Sequence, residues 1–122
     1  MPKIEVVFFK EDDGTVPMLD WLDSLQSKAP DKCVVRIEGL RELGHELRRP
    51  EADFLRDGIY ELRAGLRHVN YRMFYFFHGR TIAVLSHGVV KEAAVPSREI
   101  QRALARKQKF ENDPKTHTHI ER

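Results

Sequence analysis

A single cysteine, Cys33, leaves the chain no partner for an internal disulfide and no set of thiolates for a zinc site. Long apolar runs are also missing. None approaches the roughly 20 residues that a membrane-spanning helix needs. The opening MPKIEVVFFK has too short an apolar run for a signal peptide and no small-residue cleavage site. A cytoplasmic protein with no membrane partner is expected. There are no internal repeats and no low-complexity tract, so one domain with one modest core fits 122 residues. The expected limits are 1–112 for that domain and 113–122 for a flexible tail with little to bury.

Excess charge is scarce too, but the net value of +2 hides an asymmetry. Residues 1–56 carry 9 Lys/Arg against 12 Asp/Glu, whereas residues 57–122 carry 12 against 7. A basic half on a near-neutral chain is either a solvated surface or the footprint of an anionic partner.

The pattern of elements is mixed. KIEVVFFK at 3–10 is rich in β-branched and aromatic residues and predicts a strand. Thr15–Ser27 predicts a helix capped by Thr15 or Val16, with Pro17 in its first turn. Pro30–Leu43 predicts a second helix, with Cys33, Ile37 and Leu40 on one stripe and Gly44 as its stop. Cys33 on that stripe reads as a small buried hydrophobe. His45–Arg56, interrupted by Pro50, reads as a connector. After Pro96, Ser97 is the expected N-cap of a last helix, and Glu99 in its first turn suits the helix dipole. His117 and His119 alternate in the tail and read as solvent-exposed rather than as metal ligands.

Between these lies the stretch that carries the chemistry, DGIYELRAGLRHVNYRMFYFFHGRTIAVLSHGVVK at 57–91. It predicts three strands in a meander. With a two-residue turn at Gly65-Leu66, Arg63 pairs with His68 and Ile59 with Arg72. One face then carries Ile59, Glu61, Arg63, His68, Asn70 and Arg72, and the other Tyr60, Leu62, Val69, Tyr71 and Met73. With Gly79-Arg80 as the second turn, His87 falls opposite Arg72. Arg63, Arg72 and His87 thus share a face, with Lys91 just beyond. Guanidinium forks match phosphate oxygens two at a time, and nearby aromatic rings can stack on unpaired bases. The alternative is that both arginines form ion pairs with Glu61 and helix carboxylates.

The strings DGIYELR (57–63), YRMFYFF (71–77), His87-Gly88, Lys91, Pro96 and Glu99-Ile100, together with the upstream LGHELRRP, closely resemble the phage-derived, HigB-like branch of the RelE/ParE toxin superfamily over most of residues 3–110. That resemblance implies an α+β, RelE-like fold. Its order is β-α-α-β-β-β-α, with a twisted, mainly antiparallel sheet and an N-terminal helical pair packed on it. It implies the toxin of a type II toxin–antitoxin pair, a metal-independent mRNA endoribonuclease acting on the translating ribosome. The implied partner is a HigA-like helix-turn-helix antitoxin, and no cofactor is expected. By the same resemblance Arg63 and Arg72 are phosphate-binding arginines, and Lys91 is the first lysine of a basic pair. Relatives often carry a second lysine there, and this chain has Glu92. His87 joins them as a candidate acid or base. His68, Tyr71, Arg102 and Arg106 are the candidate RNA contacts. A ParE-like gyrase inhibitor and a non-toxic antitoxin-binding or phage-related module share the same fold.

Overall fold

A computed structural model describes residues 3–90 and 94–121. Its elements are β1 (Glu5–Phe9), α1 (Pro17–Ser24), α2 (Ala29–Leu43), a 3₁₀ turn (Gly44–Glu46), β2 (Ala52–Arg56), β3 (Ile59–Leu66), β4 (Val69–His78), β5 (Ile82–Val90), α3 (Ser97–Asn112) and β6 (Thr118–His119). The six strands form one sheet in the order β2-β3-β4-β5-β1-β6. Only β1 and β5 pair in parallel. This is the α+β, RelE-like architecture that the sequence predicts.

The apolar run of β1 explains its place in the interior. Val6 and Phe8 face α1 and α2, and Val7 and Phe9 face α3. A strand covered on both sides has no polar face to show. The α1–α2 side holds Met18, Leu22, Cys33, Ile37, Leu40, Leu62, Met73 and Leu85 in one cluster. Cys33 is fully buried, and burial pushes its thiol up to about 11, as befits an inert core residue. The α3 side holds a second cluster of Ile59, Phe74, Phe76, Val84, Ala103 and Phe110. The face expected to be polar is therefore a second core along much of its length, because α3 lies over it.

Three segments differ from expectation. The 45–56 connector contains β2, an edge strand whose Phe54 pairs with Tyr60. Mixed charges and Pro50 hide it, but an edge strand tolerates both. Ser97 is the first residue of α3, not its cap. Its hydroxyl instead lies 3.3 Å from an Arg56 guanidinium nitrogen and ties the β2–β3 hairpin to the helix. The C-terminal segment, expected to have little to bury, pairs with β1 through β6, residues Thr118–His119. His117 is buried and stacks on Phe9 with ring centroids 5.0 Å apart, and its Nδ1 meets the Lys10 carbonyl at 2.7 Å. The expectation that His117 is solvent-exposed is corrected by that contact.

β3, β4 and His87 keep their predicted faces through a different register, whereas Ala83 and Leu85 lie on the α1–α2 side, away from Phe74 and Phe76. The first turn is Arg67-His68, both with positive φ, rather than Gly65-Leu66. Arg63 pairs with Arg72 and Glu61 with Phe74, not Arg63 with His68 or Ile59 with Arg72. The turn has moved by two residues, and an even shift preserves the side of every residue. The second loop has three residues, Gly79 to Thr81, which would reverse the faces. A bulge at Ser86 reverses them again, so His87 sits opposite Phe74 on the expected side.

Gly88 lets α1 close on β5. A Cβ there would stand 2.4 Å from the Trp21 indole. Gly88→Ala is expected to lower stability by about 1–3 kcal/mol through overpacking, measured as a reduced urea midpoint with an unchanged slope. In a Trp21→Leu background the same substitution should cost clearly less.

Candidate functional site

Strand alternation and the observed register place two arginines side by side. Arg63 on β3 and Arg72 on β4 are direct cross-strand partners. Like charges in that position repel. Glu61, two residues before Arg63 on the same face, resolves the conflict. Its carboxylate is buried, at 1% exposure, and accepts hydrogen bonds from both guanidiniums. Arg63 reaches Glu61 Oε2 through Nε at 2.7 Å and through Nη2 at 2.6 Å. Arg72 Nη1 lies 3.0 Å from Oε1 and 3.3 Å from Oε2. The ion-pair reading of these arginines is therefore what the geometry shows, with Glu61 as the shared acid. The pairing leaves the group of three with one net positive charge.

The charge ladder runs on to the sheet edge. Arg63 Nη2 also reaches Asp53 at 3.2 Å, and Arg49 reaches Asp53 at 3.0 Å. The Arg49 hydrogen bond holds the Asp53 carboxyl below its ordinary value, with Arg63 adding to the effect. Arg36 on α2 donates to the Arg63 carbonyl at 2.7 Å and pins β3 from the other side. The Arg63 side chain keeps 35% of its surface exposed and Arg72 keeps 18%. Arg72 Nε is buried with no hydrogen-bond partner among the described residues. A cleft of about 460 Å³, lined by His45, Leu47, Arg48, Phe54 and Tyr60 among others, adjoins the ladder and shares Arg49 and Asp53 with it.

His87 belongs to a different network. Its imidazole is buried beneath α3, with Nε2 3.0 Å from Glu99 and Nδ1 2.8 Å from the Ser86 hydroxyl. Arg106 Nη1 lies 3.0 Å from Nδ1 and 3.2 Å from Ser86 Oγ, and Arg106 Nη2 reaches Glu11 at 3.3 Å. These partners assign the tautomer: Nε2–H donates to Glu99, and Nδ1 accepts from Arg106 and Ser86. Burial pushes the His87 pKa down to about 4. The Glu99 hydrogen bond and charge pull the other way, but burial, helped by the Arg106 and Arg102 charges, outweighs them. At neutral pH the ring is uncharged and both nitrogens are engaged.

The two networks are separated by Phe74, which pairs with Glu61 on one side and His87 on the other. Two strand spacings put the Glu61 and His87 backbones about 10 Å apart. The structure thus brings Arg63 and Arg72 together but does not join His87 to them. Lys91, with Glu92, lies outside the described residues. The candidate RNA contacts are dispersed. His68 is exposed at the β3–β4 turn, and Tyr71 is on the opposite face, edge-on to Trp21. Arg102 is half-exposed beside Glu99, and Arg106 is held in the His87 network. The side chains that sequence reasoning undervalued are the acids. Glu61 could be found from its i, i+2 spacing to Arg63. Glu99 looked like a helix-dipole carboxylate, and nothing local reveals its reach to His87.

Residues 20–108 match the family model described as phage derived protein Gp49-like (DUF891). The chain belongs to this family. The Gp49-like family is a RelE-like family of type II toxins. The matched span runs from α1 to α3 and contains both networks except Glu11. Among curated proteins, none matches this Gp49-like chain.

The buried neutral His87 has a pH consequence. Its folded value of about 4 lies below the ordinary 6.5, so between these values the unfolded chain binds more protons than the folded one. The stability it contributes is complete above pH 6.5 and is lost as pH falls toward 4, by an amount on the order of 3 kcal/mol. Chemical denaturation at several pH values should show this loss in the wild type and a shallower fall in His87→Gln. Equal slopes would contradict the assignment.

Proposed function

We propose that this Gp49-like protein is the toxin of a type II toxin–antitoxin pair, a metal-independent endoribonuclease of the HigB-like branch that cuts mRNA on the translating ribosome. In this reading it acts in the cytoplasm and is restrained by a HigA-like helix-turn-helix antitoxin. The observation that carries it is the adjacent pair Arg63 and Arg72. A shared buried carboxylate holds them together, and they keep one net positive charge and partial exposure.

Cleavage of RNA without a metal proceeds by attack of a 2′-OH on the adjacent phosphorus. The 2′ proton goes to a base, a P–O bond forms to the 2′ oxygen, and the bond to the 5′ oxygen breaks as that oxygen receives a proton. The products are a 2′,3′-cyclic phosphate and a 5′-OH. Arg63 and Arg72 are suited to hold the non-bridging oxygens as charge develops there. Proton transfer falls to Lys91 and His87. Lys91 follows Val89, the residue opposite Arg72, by two positions. His87 takes part only if α3 lifts and frees a ring nitrogen from Glu99 or Arg106. His68 and Arg102, both accessible, are the outer contacts to the RNA backbone, whereas Tyr71 and Arg106 in this arrangement serve packing.

The test is induced expression with mapping of mRNA ends. Wild type should arrest growth and create new 5′ ends. Arg72→Ala should lower cleavage by on the order of 10²–10³, because one donor to the developing charge is lost. A 2′-deoxy substitution at the cut site should abolish cleavage. Intact mRNA with both proteins would contradict the nuclease reading. Undiminished toxicity of Arg72→Ala would favour a toxin that binds its target, such as a ParE-like gyrase inhibitor. No growth effect from either protein would favour the non-toxic module.

A further inference from the structure

Glu61 is an odd residue to find in a site meant for an anion. It is a carboxylate, it is buried, and it occupies donors on both arginines that a phosphate would need. It is also the only described side chain that bonds Arg63 and Arg72 together. We propose that Glu61 is a positioning residue that weakens substrate binding and in return holds the two guanidiniums in the geometry that stabilises the transition state. The proposal rests on the nuclease reading.

The argument is electrostatic and geometric. Arg63, Glu61 and Arg72 together carry one net positive charge, and the trio without the carboxylate charge carries two. A phosphate arriving at the trio is attracted by the net charge and also competes with Glu61 for the same N–H groups. Removing the negative charge therefore strengthens ground-state binding. It also removes the anchor that overcomes repulsion between cross-strand arginines. Without that anchor the two side chains spread, and a displacement near 1 Å is enough to lose on the order of 10²-fold in rate. Binding and catalysis then move in opposite directions, as expected when interactions serve the transition state rather than the substrate.

The experiment uses the full chain and two variants. Affinity is measured with a short single-stranded oligonucleotide that carries a 2′-deoxy residue at the cut site, and rate by single-turnover cleavage of the all-ribose version. Each protein is first shown to be folded at the assay temperature by its thermal melt. Glu61→Gln should bind the uncut oligonucleotide about threefold to tenfold more tightly at low salt. Its plot of log affinity against log salt should steepen by about 0.7. Its cleavage should slow by on the order of 10²-fold. Glu61→Asp keeps the charge but shortens the reach. It should bind like wild type and cleave more slowly.

If Glu61→Gln binds more weakly and cleaves more slowly, the carboxylate is only a structural brace and the proposal is overturned. Cleavage at the wild-type rate by either variant overturns it too. If wild type binds but does not cut RNA, the nuclease reading fails and the positioning role falls with it. The tightening by Glu61→Gln then reports on the charge of the trio alone.

Discussion

A sheet covered on both faces has room for charged side chains only where they answer one another, and that constraint shapes this protein. The α3 face carries Glu61, His87 and Glu99, all buried. An isolated buried charge is costly by several kcal/mol, so each must be paired or neutralised. The chain uses both solutions. Glu61 is paired with two guanidiniums. His87 gives up its charge and is held by hydrogen bonds to Glu99, Ser86 and Arg106. Phe74 stands between the two and keeps them from merging.

The division gives the two ends of the face different character. At the His87 end, α3 seals the sheet. Phe110 packs on Phe76 and His78, Arg106 bridges to Glu11, and Lys109 bridges to Asp12. His117 closes the same corner from the C-terminal segment, stacked on Phe9. At the Arg63 end the cover stops, and the arginines keep part of their surface in water. The proposed site is thus a cationic patch at the margin of a buried polar face. Its rigidity comes from Glu61 beneath it and from Arg36 across the sheet.

Much of this was legible in the sequence. Period-two alternation placed Arg63, Arg72 and His87 on one side, and they are on one side. The reasons are instructive. The first turn was misplaced by an even number of residues, which leaves faces untouched. The second loop and the Ser86 bulge were both missed, and their errors cancel. The helical stripe of Cys33, Ile37 and Leu40 was plain because its period is local. What escaped depends on contacts between distant residues. β6 has only two residues and acquires its meaning from β1, more than a hundred positions away. β2 is an edge strand with charges that blur its pattern. Shared location on a face also does not imply contact, since His87 lies diagonally across from Arg72 and spends its ring nitrogens on Ser86, Glu99 and Arg106.

The central claim is that a substrate phosphate seats on the Arg63–Arg72 pair. Nuclear magnetic resonance of the arginine Nε–H groups tests it most directly, by titrating a 2′-deoxy-blocked RNA oligonucleotide into the ¹⁵N-labelled protein. The account predicts that the Arg63 and Arg72 signals move together and saturate together, while Arg106, engaged with His87 and Glu11, stays in place. Saturable binding that leaves both Arg63 and Arg72 unmoved would contradict it.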